Sequence, residues 1–238
     1  MRLAARCGAG ATLWLAAACA LAQPAVQPAK AASQAAAKDP SVLPKFGNLP
    51  KSEAQKAVER EFIEGVDLQT GGDRPRAAQQ LAARGWQHAQ QLQSDDAMRR
   101  FNQAWLLDKQ CALALWGMAA VQVNIPGKAA SAVPLYAEAQ KAGANETNFM
   151  VDYAKAVSMA AIETKSDALM QDAFTRFARI HAKAPQHTIN LQNWAVALFN
   201  TGDYEQAWKK IKQAEATPDR TLLDARFMAA LKGRMPRP

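Results

Sequence analysis

From residue 52 to the C-terminus, apolar residues recur at helical spacing and short polar or Gly/Pro breaks separate the runs. Ser52 followed by Glu53 and Gln55 has the form of a helix start, and Phe62, Ile63 and Val66 supply its apolar stripe. Gly71-Gly72-Asp73 interrupts that run, and Pro75 suits the first turn of the next helix. Further breaks fall at Ser94-Asp95-Asp96, Pro126-Gly127, Gly143, Pro185, Gly202-Asp203 and Pro218-Asp219. No segment alternates apolar and polar residues for long enough to be a strand. The pattern predicts an all-α chain with helices over 52–69, 75–91, 95–108, 112–124, 129–142, 147–164, 167–183, 188–200, 204–216 and 220–231.

The helices repeat in pairs. Small residues Gly85, Ala120, Ala161 and Ala195 sit in the first helix of successive pairs, and Ala97, Ala132, Ala173 and Ala207 in the second. Both series advance by 35, 41 and 34 residues, so two independent markers keep one register. The surplus before the third copy, 41 − 34 = 7 residues, is about two helical turns and predicts a longer helix or loop around Asn145 to Asp152. Small residues at these places let two helix backbones cross closely, while Phe101, Tyr136, Phe177 and Ile211 fill the space beside them.

In the last pair, Ala195 is followed by the turn Thr201-Gly202-Asp203-Tyr204 and then by Ala207, Ile211 and Ala214. This arrangement resembles the tetratricopeptide repeat (TPR), and the upstream copies keep the same signature. The segment from Ala97 to Asp108 is also similar to a group of exported bacterial repeat proteins of unassigned activity. The resemblance implies a right-handed superhelical solenoid of antiparallel helix pairs, with repeats at about 78–111, 113–146, 154–187 and 188–221 and capping helices at both ends. One hairpin cannot bury its own apolar face, so several must stack.

The N-terminus has a different character. Arg2 and Arg6 precede an apolar run from Ala9 to Ala18 that is too short to span a bilayer as a mature helix, and Ala20-Leu21-Ala22 then offers a cleavage site. Residues 1–22 are therefore expected to be a secretory signal peptide, with the periplasm as the expected destination. A weaker alternative is a lipoprotein, since Ala16-Ala17-Ala18-Cys19 resembles a lipidation box and would make Cys19 a membrane anchor. Residues 23–50 are rich in Ala, Gln and Pro and are expected to be a disordered tether, leaving 51–238 as the repeat domain.

Charge changes this picture little. The whole chain carries +8, and removing Arg2 and Arg6 leaves 8 − 2 = +6. No run of five basic residues occurs, and an exported chain has little access to DNA, so nucleic acid is not an expected partner. Of the three cysteines, Cys7 and Cys19 lie in the signal region, so Cys111 has no internal disulfide partner.

Catalytic chemistry is not apparent. His88, His181 and His187 are isolated from each other and from Cys111, unlike clustered metal ligands. Pro126-Gly127-Lys128 lacks the rest of a phosphate loop, and no nucleophile elbow occurs. No enzyme activity, cofactor or metal is expected. The resemblance places a partner-binding groove on the inner faces of the first helices: Gln79, Ala82, Trp86 and Gln90, then Val121 and Asn124, then Ser158, Ile162 and Lys165, then Gln192, Asn193, Val196 and Asn200. This is an amide and apolar surface, suited to an extended protein segment. The alternative is a structural part of an envelope complex that makes contacts through its convex face or tether. Trp86 lies between two roles, core packing and groove anchor.

Overall fold

A computed structural model describes residues 39–238; the expected signal peptide, Cys19 and residues 23–38 of the expected tether lie outside the described residues. The helices are α1 (Glu53–Thr70), α2 (Arg74–Gln90), α3 (Ser94–Leu107), α4 (Ala112–Val123), α5 (Ala129–Lys141), α6 (Thr147–Thr164), α7 (Asp167–Lys183), α8 (Thr188–Asn200), α9 (Tyr204–Glu215) and α10 (Ala225–Arg234). Among the described residues there is no strand.

The breaks act through local chemistry. Ser52 and Gln55 form a reciprocal capping box at the start of α1, and Gly71 ends that helix in the left-handed region at φ 63°. Asp73, Ser166, Asp203 and Asp224 cap α2, α7, α9 and α10 by accepting backbone N–H bonds in the first turn. The last element departs from expectation. A short 3-10 turn over Arg220–Leu222 precedes α10, because the Asp224 cap starts the helix later than residue 220.

Four antiparallel pairs stack in chain order: α2 with α3, α4 with α5, α6 with α7, and α8 with α9. Ala97, Ala132, Ala173 and Ala207 are all fully buried. Gly85, Ala161 and Ala195 are buried as well, whereas Ala120 is only half-buried. Gly117, one turn earlier, is the closer crossing. A Cβ there would lie 2.2 Å from the Phe101 ring, and one on Gly85 would lie 2.5 Å from the same ring. Phe101 is thus wedged between α2 and α4, and both glycines make room for it.

First helices touch along the stack, α2 with α4, α4 with α6 and α6 with α8. Among the described residues the second helices make no more than marginal contact with one another. The stack therefore curves with the first helices on its inner wall. The surplus residues lengthen α6, which has 18 residues against 12 in α4.

The expected tether is corrected over 39–50. These residues form 3-10 turns at Pro40–Val42 and Pro44–Asn48 that lie against α3. Asn102, fully buried on α3, donates Nδ2 to the carbonyls of Ser41 and Leu43, each at 2.8 Å. Lys45 pairs with Glu138 on α5, and Val42 is buried. Two prolines that pre-set φ and a buried amide that satisfies the turn carbonyls hold a segment with few large apolar residues.

Candidate functional site

The inner wall holds a cleft of about 480 Å³ across the first three pairs. Trp86 and Gln90 enter it from α2, Val121 from α4, and Asn124 from the residue that closes α4. The expected groove residues Trp86, Gln90, Val121 and Asn124 therefore come together. Among the lining residues that sequence reasoning did not place there are Tyr136 on α5, and Asp152 and Lys155 on α6.

Trp86 packs into the core and also reaches the cleft. It is half-buried, its Nε1 donates to the Leu113 carbonyl at 3.2 Å, and one part of its ring lines the cleft. It meets Phe101 edge-on at 5.8 Å and Trp116 edge-on at 4.8 Å between ring centroids. Trp116 in turn meets Phe149 at 5.6 Å, and Phe149 lies 5.9 Å from Tyr136. A continuous aromatic column thus underlies the cleft. Such pairs add about 0.5–1.5 kcal/mol each beyond area burial.

Asp152 is the polar centre of this floor. The Trp116 Nε1 donates to its Oδ2 at 3.0 Å. Burial pushes its carboxyl above the ordinary aspartate value, while the Trp116 hydrogen bond, Lys155 and His187 pull the other way. Burial also pushes the Tyr136 hydroxyl well above its usual range, with the Asp152 charge adding to it. The expected amide and apolar groove is therefore corrected: it has that character at the rim but carries a carboxylate and a lysine at α6.

The remaining expected residues lie elsewhere. Ala82 is fully buried in the core. Ser158 is buried and donates to the Lys155 carbonyl, so it is part of the packing of α6. Lys165 is exposed in the left-handed cap of α6, almost three turns past Lys155, and Ile162 is exposed one turn before it. Gln79 is exposed near the start of α2, away from the cleft lining. On the fourth pair, Gln192 Oε1 accepts from the Asp224 N–H, which ties α8 to the C-terminal segment. The Asn193 amide nitrogen is shut off from solvent with no hydrogen-bond partner, and Asn200 donates back to the Val196 carbonyl of its own helix. None of these four residues of α8, Val196 included, lines the cleft.

One geometric rule accounts for the difference. Trp86 pairs with Trp116 rather than with residue 86 + 35 = 121, and Trp116 pairs with Asp152 rather than with 116 + 41 = 157. At both steps the neighbour lies five residues before the register equivalent. The cleft therefore runs obliquely, from the C-terminal half of α2 to the N-terminal half of α6.

Chemistry elsewhere is sparse. Cys111 is fully buried, and burial raises its thiol, which keeps it protonated and suits packing better than nucleophilic attack. Among the described residues no three His, Cys, Asp or Glu side chains converge as a metal site, and no helix is long and apolar enough to cross a membrane. A second hollow, of about 340 Å³, lies between the 39–50 strap and α1, with Phe46, Leu49, Pro50, Ala54 and Val58 among its walls.

No family model and no curated protein matches the chain. Among solved structures it is similar to one described as the crystal structure of YrrB, a TPR protein with an unusual peptide-binding site. The identity is 14%, the match covers 72% of this chain and 97% of that one, and the TM-score is 0.32. The architecture itself, antiparallel pairs stacked with small residues at their crossings, is that of a TPR-like helical repeat.

Proposed function

We propose that this protein is a non-catalytic scaffold that holds an extended protein segment in the oblique cleft, and that it does so in the bacterial cell envelope after export. The observation that carries the reading is the cleft itself, open on the inner wall across three helix pairs and built on a rigid aromatic column. Its rim presents the exposed amides of Gln90 and Asn124. Asn124 spends its Nδ2 on the Ala120 carbonyl, which leaves its carbonyl oxygen to accept from a bound backbone. The apolar stretch formed by Ala120, Val121 and Val123 suits side chains between those polar contacts. Export rests on the sequence of residues 1–22.

The apolar hollow at the 39–50 strap favours a second reading, in which an envelope complex is contacted through the strap and α1 instead. Photo-crosslinking residues placed in the native host at Gln90, at Asn124, at Val58 on α1 and at Gln171 on α7 separate the two. The cleft reading expects protein adducts from Gln90 and Asn124. Adducts from Val58 alone would replace it with the second reading, and adducts from Gln171 alone would contradict both.

A further inference from the structure

We propose that the segment held in the cleft carries an arginine whose guanidinium sits at Asp152, against the Trp86 ring. This deepens the cleft reading and rests on it. The case begins with an incomplete hydrogen-bond set. Asp152 Oδ2 accepts from Trp116, but among the described residues its Oδ1 accepts from nothing and the carboxylate has no ion-pair partner. Beside it, the Tyr136 hydroxyl makes no hydrogen bond to a described residue. Oδ1 is not sealed from solvent but opens on the cleft, so an incoming cation would take the place of water there, where the surrounding burial strengthens a charge pair. Nothing in the packing of α6 demands a charge at residue 152, because an asparagine would also accept from the Trp116 indole.

The surroundings select the partner's chemistry. A guanidinium offers several N–H donors in one plane, enough for Oδ1 and the Tyr136 oxygen together, and its flat face stacks on an aromatic ring. Trp86 lines the same cleft and is the strongest cation–π acceptor among the side chains. A lysine would supply charge without the plane, so it should bind more weakly. Lys155 is one turn along α6 and is, among the described residues, the only other charged group lining the cleft; it makes no ion pair with Asp152, though its charge is felt there. It works against an incoming cation and would favour an acidic segment if it dominated. The carboxylate has the better position for selection, since it is the group held by the indole at the floor.

The test is selection from a randomised library of capped peptides, using the full chain. Wild type should enrich peptides with one arginine. Asp152→Asn, which keeps the Trp116 acceptor, should lower affinity for a selected arginine peptide about tenfold or more, while its affinity for the same peptide with norleucine in place of arginine stays unchanged. Lys155→Met should hold or raise arginine affinity. Enrichment without a basic residue, or of acidic residues, would overturn the inference and leave the cleft reading standing. A library from which nothing is enriched would overturn both.

Discussion

The inner wall of the stack changes character between its third and fourth pairs. Over α2, α4 and α6 it is open, and Trp86, Gln90, Asn124 and Asp152 face a shared cleft. Over α8 the equivalent face is engaged by the chain itself. Gln192 holds the start of α10, α8 touches the 3-10 turn before that helix, and Trp208 on α9 donates Nε1 to the Met235 carbonyl at 3.0 Å. Leu231 of α10 is fully buried in a small separate core with Ala195, Ala207, Trp208 and Ile211. Residues of one repeat register thus meet different fates. On α2 and α4 inner residues become part of a cleft; on α8 Gln192 becomes an attachment point for the segment that covers the last pair. A repeat array needs such an end, because its last apolar face would otherwise meet water.

The largest effects should come from the two cores. Phe101→Ala removes the wedge under the cleft and should lose about 3–5 kcal/mol in denaturant unfolding, with peptide binding lost alongside. Leu231→Ala should lose about 2–5 kcal/mol yet leave cleft affinity intact in the protein that remains folded. Equal damage to binding from Leu231→Ala would dissolve the distinction between the two regions. Overpacking comes next. Ala132→Leu and Ala207→Leu, one at a crossing on each side of the divide, should each cost about 1–3 kcal/mol. Unchanged melting temperatures for both would mean that the crossings are misplaced.

Smaller changes sharpen the contrast. Gln192→Ala should cost about 0.5–1 kcal/mol of stability by releasing the cap, with no effect on cleft binding. Asn124→Ala should do the reverse, shifting stability by less than about 0.5 kcal/mol while weakening binding. Asp152 gives a pH signature. Its folded carboxyl titrates above the unfolded value of about 3.9, so between the two the folded chain binds more of the proton and stability falls as pH rises through that window. Thermal unfolding of wild type and Asp152→Asn from pH 3 to pH 7 should show wild type losing ground to the variant as pH rises. The opposite trend would place Asp152 in a different environment from the one described.

The fold was legible because its determinants are local and periodic. Alanines at 97, 132, 173 and 207 keep register with a second series of small residues, and Gly, Pro and Asp mark nearly every helix end. The strap at 39–50 was not legible, since it depends on Asn102, about sixty residues away, to satisfy its carbonyls. The cleft was half legible. Trp86, Gln90, Val121 and Asn124 follow from the face of each helix taken alone. Asp152 and Lys155 do not, because neighbouring first helices meet five residues out of register along Trp86, Trp116 and Asp152, and Tyr136 does not, because it lies on a second helix, α5, which the projection left out. Two such steps separate α2 from α6, and together they move the projection from Ile162, the register equivalent of Trp86, to Asp152. On α8, nothing in the residues of the helix announces that a later segment will attach to it.

The tryptophans offer the most direct test, since Trp86 and Trp116 belong to the open region and Trp194 and Trp208 to the closed one. Their indole N–H signals, assigned by single Trp→Phe variants, can be followed in proton–nitrogen NMR spectra as a library-selected peptide is added. Shifts at Trp86 and Trp116, with Trp194 and Trp208 unmoved, are the predicted result. Shifts confined to Trp194 and Trp208 would contradict the assignment of binding to the oblique cleft.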